Sequence, residues 1–166
     1  MQFFLWGLAL AVAGLVGLMA AVRLSSDDPA VWHVDPLSAE SSGKPNEYWI
    51  LPGGVDALRE GEVAGVYPVP APDLAMAFDA VALSEPRTTR LAGAPAEGWT
   101  TYVQRSGLFG FPDYISVRVI EAEGGDGAML AIYSRSRYGH SDLGVNAKRI
   151  RRWLSTVQKR LGVEEP

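Results

Sequence analysis

Residues 3–22, FFLWGLALAVAGLVGLMAAV, carry no charged side chain. As a helix rising about 1.5 Å per residue they reach roughly 30 Å, the thickness of a bilayer's hydrocarbon core. Inside a bilayer every backbone polar group must be satisfied within the segment, so such a run folds as a helix and the rest of the chain is left outside the lipid. The competing use of a run like this is a cleaved signal peptide, and Ala20 and Ala21 are small enough for a cleavage site. Against it, the run exceeds the ~7–15 residues usual for a signal's apolar region, and no basic residue precedes it. Residues 1–23 are therefore expected to form a transmembrane anchor. Arg23 mildly favours its own side as cytoplasmic, whereas the short leader and the Asp27 and Asp28 that follow weaken that rule.

Residues 24–46 read as a juxtamembrane linker. Trp32 is expected at the membrane interface and His33 in solvent, since no second metal-binding side chain has helical or hairpin spacing to it. The small polar run 38–46, SAESSGKPN, marks a boundary, and residues 47–166 are expected to form one domain. That leaves enough chain for a core that stands without staples.

Within the domain, residues 48–51 predict a short strand stopped by Pro52, Gly53 and Gly54, and residues 55–62 a weak pattern with at most a helical turn. Pro68 and Pro70 restrict residues 63–69 to an edge strand. Residues 72–83 predict a helix, with Pro72 in its first turn and Leu74, Phe78 and Val81 on one face. Residues 87–91, 99–105, 114–121 and 128–135 read as successive strands, the last two joined by a hairpin at Gly124, Gly125, Asp126 and Gly127. Ile115, Val117 and Val119 alternate with Tyr114, Ser116 and Arg118, the pattern of a sheet wet on one face. Along 128–135 either face suits a core. The expected class is α+β: a mainly antiparallel curved sheet packed by two helices, behind the anchor.

The stretch 133–161, YSRSRYGHSDLGVNAKRIRRWLSTVQKRL, is the most informative in the domain. A strand carrying Arg135 and Arg137 ends in a polar turn through Gly139, Ser141, Asp142 and Gly144. A helix follows, with Asp142 or Asn146 as its N-cap and Gly162 as its stop. Leu143, Ala147, Ile150, Leu154, Val157 and Leu161 recur at steps of four and three, as a buried stripe does. Lys148, Arg149, Arg151, Arg152, Lys159 and Arg160 are assigned to the opposite face, six of the chain's 15 basic residues.

Composition narrows the chemistry. A net charge of −4 argues against general nucleic-acid binding, and the local basic face suits an anionic lipid surface or an acidic protein partner, or is simply solvated. There are no cysteines, which removes disulfides and thiolate metal sites, and with only two histidines a histidine-rich metal site is not expected. No glycine pattern for nucleotide or dinucleotide binding follows a strand, so no cofactor is expected. His140, Ser141 and Asp142 hold the residue types of a hydrolytic triad. Three consecutive residues do not align as one, and the run from Gly139 to Gly144 is one residue too long for a nucleophile elbow.

Two uses remain for the turn. In one, Arg135, Arg137, Ser141, Asp142 and Asn146 bind an anion with the free N–H groups at the helix start. In the other, the turn is a buried polar lock between last strand and last helix, with Arg137 bridging Asp142 or Asp113.

The run Ser134, Ser136, Arg137, Gly139, Ser141, Asp142, Leu143, Gly144, Val145 and Asn146, followed by Arg149, resembles the signature of the domain of unknown function 1499 family. Phe109 and Phe111 with Asp113 resemble its second motif, and the likeness extends over roughly residues 65–161. The chain departs from the family's pattern at Tyr114 and Ser116, where acids are frequent, at Arg135, where a small residue is usual, and at Tyr133, where Arg is common. The resemblance implies an exported or membrane-associated protein with no established reaction. It is the resemblance that suggests a periplasmic domain outside a bacterial-type inner membrane. The expected function is a membrane-anchored binding or accessory module, and the second expectation is an enzyme using the same cluster to stabilise an anionic intermediate.

Overall fold

A computed structural model describes residues 2–56 and 59–164. The apolar run lies in helix α1 (Gln2–Leu24), the one helix among the described residues long and apolar enough to cross a membrane. By length and composition it fits a single-pass anchor or a signal sequence. Nearly all of it is exposed, and Val22 in its last turn is the residue buried against the rest of the protein.

A short helix α2 (Pro29–Trp32) follows, started by the Asp28 side chain, which accepts from the Ala30 N–H at 2.9 Å, with Pro29 in the first helical position. The remaining elements are β1 (Glu47–Leu51), β2 (Gly61–Val63), β3 (Val66–Tyr67), α3 (Ala71–Ser84), β4 (Thr88–Ala94), a 3-10 turn (Pro95–Glu97), β5 (Trp99–Arg105), β6 (Pro112–Glu121), β7 (Ala128–Ser136) and α4 (Val145–Leu161). They form one sheet in the order β2-β1-β7-β6-β5-β4, with β3 beside the start of β7. Every pairing is antiparallel except β1 with β2. This is the expected α+β architecture. The single edge strand anticipated over 63–69 is instead two short pieces, β2 and β3. Part of the turn anticipated over 55–62 lies outside the described residues.

Helices α3 and α4 cover one face of the sheet. Leu74, Phe78 and Val81 of α3 and Ala147, Ile150, Trp153 and Val157 of α4 bury against Tyr48, Ile50, Tyr102, Ile115, Val117, Leu130 and Ile132. Each of the Leu, Ile, Val and Phe side chains contributes roughly 1.5–3 kcal/mol by leaving water. Trp153 anchors the layer, meeting Phe78 and Tyr102 edge-on with ring centroids 5.9 and 6.5 Å apart. The register of β7 is thereby settled, with Leu130, Ile132 and Ser134 facing the helices. Gly162 ends α4 in the left-handed conformation at φ 68°, as anticipated.

Three corrections concern α4. Its N-cap is Gly144, neither Asp142 nor Asn146. Leu143 is 85% exposed and precedes the helix, so it is not part of the buried stripe, and Trp153 occupies the stripe's centre. Arg149, assigned to the basic face, is buried.

The other face of the sheet was expected to be wet, yet Tyr114 and Ser116 are fully buried. The cover comes from residues 25–37, which cross the sheet as a strap. Trp32 stacks on Tyr114 with centroids 4.0 Å apart and planes within 9°, and so sits on the domain and not free at a membrane interface. His33 is not solvated either: it stacks on Trp99 at 3.9 Å, and its Nδ1 lies 2.8 Å from Thr101 Oγ1. The Trp99 indole N–H donates to Val34 O at 3.3 Å, and Asp35 pairs with Arg118 at 3.2 Å.

Candidate functional site

Strand β7 carries polar machinery on both of its faces, because successive side chains of a strand point opposite ways. On the helix side Ser134 donates to Asn146 Oδ1 at 2.5 Å. The Asn146 amide donates to Asp142 Oδ2 at 2.8 Å, to the Asn46 carbonyl at 3.1 Å and to Ser136 Oγ at 3.1 Å. Asn46 in turn donates to Gly139 O at 2.8 Å, which ties the entry to β1 to the exit from β7. Arg149 completes the group. It donates to Asn146 Oδ1 at 2.8 Å and to Gln104 Oε1 at 2.6 Å, and forms a close ion pair with Asp113. With Asn46, Ser134, Asn146 and Arg149 all buried and mutually satisfied, this network is a lock joining β1, β5, β6 and β7 to the start of α4.

The turn after β7 is shaped for that lock. Gly139 and Gly144 adopt φ values of 90° and 74°, which a residue without a Cβ takes at little cost. Asp142 accepts from the backbone N–H groups of Gly144 at 3.0 Å and Asn146 at 2.6 Å. Its carboxylate therefore occupies the donors at the start of α4. Ser141 is exposed and accepts from the Leu143 N–H at 3.3 Å, and His140 is exposed beside it.

On the strap side lies a second polar cluster. Arg135 is buried, its guanidinium 4.5 Å from the Tyr133 ring centroid and 5.4 Å from that of Trp32, and it donates to Trp32 O at 2.8 Å. Burial pulls its pKa below the usual arginine value. Next to it, burial alone would raise the Glu47 pKa, but hydrogen bonds from Ser41, Tyr133 and Ser42 outweigh burial and hold the carboxyl below its ordinary range. The polar run assigned to a domain boundary thus supplies donors to a buried acid. Toward the end of the domain nearest α1, Asp27 receives Arg105 Nη2 at 2.7 Å and the Tyr114 hydroxyl at 2.6 Å, with Arg137 Nη1 at 4.0 Å. Burial and the bond to Asp27 push the Tyr114 phenol up to about 12.

The five residues expected to converge are divided between these clusters. Asp142 and Asn146 belong to the lock, with Ser141 on its rim. Arg135 and Arg137 stand on the opposite face of the sheet. Arg137 bridges neither Asp142 nor Asp113. It donates to Ser26 O at 3.0 Å and lies 5.3 Å from the Tyr138 ring. The place intended for it beside Asp113 is taken by Arg149. Ser134, Ser136, Gly139, Gly144 and Asp113 all serve the lock or its turn. Phe111 packs between Phe109 at 5.3 Å and Tyr138 at 5.7 Å, on the loop before β6.

Asp27, Trp32, His33 and Arg105 were missed as partners of the domain. The available signal was the Asp28-Pro29 helix start; the aromatic and hydroxyl residues at Thr101, Tyr114, Ser116 and Tyr133 suit a covered face as well as a solvated one. Among the described residues no three His, Asp or Glu side chains are grouped to hold a metal ion.

Among curated proteins none matches the chain. The sequence profile of a family described as a protein of unknown function, DUF1499, matches residues 66–157, more than half of the 166. The matched span holds α3, β4 to β7, the lock turn and most of α4, and the chain belongs to this family.

Proposed function

We propose that the protein is a single-pass, membrane-anchored binding module whose domain stands on the outer face of an inner membrane. Its ligand is a carboxylate- or phosphate-bearing group received by Arg105, Arg137 and Tyr114, with Arg135 as the neighbouring cation. The observation that carries this reading is the seat of Asp27. Two guanidinium groups and a phenol surround one carboxylate belonging to the strap, the chemistry by which arginines recognise an external anion. Asp27 is a tethered competitor in that seat, so an entering anion must supply more contacts than the one carboxylate it displaces.

The lock does not serve as the receiving site in this reading. Its donors and acceptors are already paired, and Asp142 fills the helix start. A role for the outer face accords with the export implied by the family resemblance.

The test is thermal unfolding of the full chain in micelles, as wild type, Asp27→Ala and Asp27→Ala with Arg137→Ala, with and without inorganic phosphate and a dicarboxylate. Either anion is expected to raise the midpoint of Asp27→Ala and to leave that of the double variant in place. Equal midpoints with and without anions in Asp27→Ala would show that the seat only ties the strap down, and the reading would fail.

A further inference from the structure

The end of α1 is fixed to one particular loop of the domain, residues 106–111 between β5 and β6. Arg23 Nη2 donates to the carbonyls of Gly107 and Leu108 at 3.2 and 2.9 Å. From the other side Arg105 donates to Val22 O at 3.3 Å and Ser25 O at 3.1 Å. Gly110, at φ 76°, lets the loop close on the helix: a Cβ there would sit 2.6 Å from Arg23 Cγ. The residues of α1 before Val22 extend away from the domain with their side chains exposed.

This docking determines which part of the domain meets the lipid. If the uncharged run crosses the hydrocarbon, the boundary lies at Val22 and Arg23, and the interfacial layer beyond it is only about 5–8 Å deep on each side. Loop 106–111 touches Arg23 itself and so lies in that layer. What the loop offers there is apolar. Leu108 is 66% exposed, Phe109 is half-buried against Phe111, and Tyr138 beside Phe111 is also exposed. Leu24 adds a further exposed side chain. Arg87, close to Gly107, and Arg23 itself add cations beside the loop, where headgroups carry phosphate. Exposed aliphatic and aromatic side chains with arginines beside them are the chemistry that suits the layer between acyl chains and headgroups.

We infer that loop 106–111, with Tyr138, inserts into the interfacial layer of the bilayer that α1 crosses, so that the domain is held at a fixed orientation and not on a free tether. The partner is the lipid surface itself. β6 then runs away from the membrane, and the β6–β7 hairpin at residues 122–127, ten strand residues on, is the distal end of the domain. The inference rests on the membrane anchor of the proposed function but is independent of the anion seat.

The absence of cysteine makes the test direct. A single cysteine is introduced as Leu108→Cys, Glu123→Cys or Gly14→Cys, each in the full chain, spin-labelled and placed in nanodiscs of phosphatidylethanolamine and phosphatidylglycerol. Collisions of the label with oxygen, which concentrates in lipid, are compared with collisions with a water-soluble nickel complex. The label at 108 is expected to favour oxygen, as that at 14 does, and the label at 123 to favour nickel. A label at 108 that favours nickel while that at 14 favours oxygen would overturn the insertion and leave the anchor standing. A label at 14 that favours nickel would remove the anchor and the insertion with it. Leu108 and Glu123 are exposed, so their variants are expected to unfold at the wild-type midpoint.

Discussion

Replacement of Arg149 by alanine tests whether the polar network at the start of α4 is a lock. The Arg149 side chain is 5% exposed and that of its partner Asp113 15%. The substitution removes three donors at once: it strands the Asp113 carboxylate and the Gln104 carbonyl oxygen, and leaves Asn146 Oδ1 with the Ser134 hydroxyl alone. Breaking a buried pair from one side costs about 3–5 kcal/mol, and the partial hydration of Asp113 places this case near the lower end. For a domain of this size that loss lowers the thermal midpoint by on the order of 10 °C. Arg137→Ala is the control, since its nearest carboxylate is 4.0 Å away and its side chain is 26% exposed. A pair so long and partly hydrated is worth about 1 kcal/mol or less. Both variants are compared with wild type by intrinsic tryptophan fluorescence during thermal unfolding in micelles, where buried Trp153 reports the helix layer. A shift below about 2 °C for Arg149→Ala, on the scaling used above, would refute the reasoning. So would a larger loss for Arg137→Ala, because the clamp would then lie on the strap side.

Two other perturbations have defined outcomes. Burial lowers the His33 pKa below 6.5, more than Glu97 and Asp35 raise it, so the docked ring favours the neutral form and the released strap takes up the proton first. Strap docking is thus fully stabilised above pH 6.5 and weakens as the pH falls below it; the unfolding midpoint should drop more between pH 7.5 and 5.5 in wild type than in His33→Phe, and equal drops would contradict this. At Gly61 a Cβ would lie 2.2 Å from Trp49 O, so Gly61→Ala must push β2 off β1 at a cost of about 1–3 kcal/mol, seen as a lower unfolding midpoint and faster amide exchange at Ala64, and an unchanged midpoint would contradict it.

The elements were largely legible because their periods are clear. The uncharged run specifies a helix, and the alternation along β6 and the four-three spacing in α4 each specify an element and the side that meets the helix–sheet core. What covers a face is less legible. Tyr114, Ser116, Thr101 and Tyr133 serve equally well on a half-solvated face or beneath a polar strap, since hydroxyls and aromatic edges accept either water or protein. Arg149 shows the same limit on a helix. Composition groups it with its basic neighbours, yet it lies three residues after Asn146 and four before Trp153, on the edge of the buried stripe. The separation of Arg135 and Arg137 from Asn146 follows from strand parity, since Arg135 and Arg137 alternate with Ser134 and Ser136. A ligand cluster drawn from both sets had treated neighbours in sequence as neighbours in space.

The strap also sets an order in which the protein can be completed. Its hydrogen bonds reach from His33 to Thr101, 68 residues on, and from Ser26 to Arg137, 111 residues on. During synthesis at about 5–20 residues per second, α1 leaves the ribosome roughly 5–20 s before β7 exists to receive the segment behind it. Trp32, His33 and Asp27 spend that interval without their stacking and ion-pair partners, beside a helix already competent to enter lipid. The sheet can therefore assemble from β4 to β7 by local hairpins and close over the strap last. The strap is thus made before the sheet that it covers and is the last part to find its place.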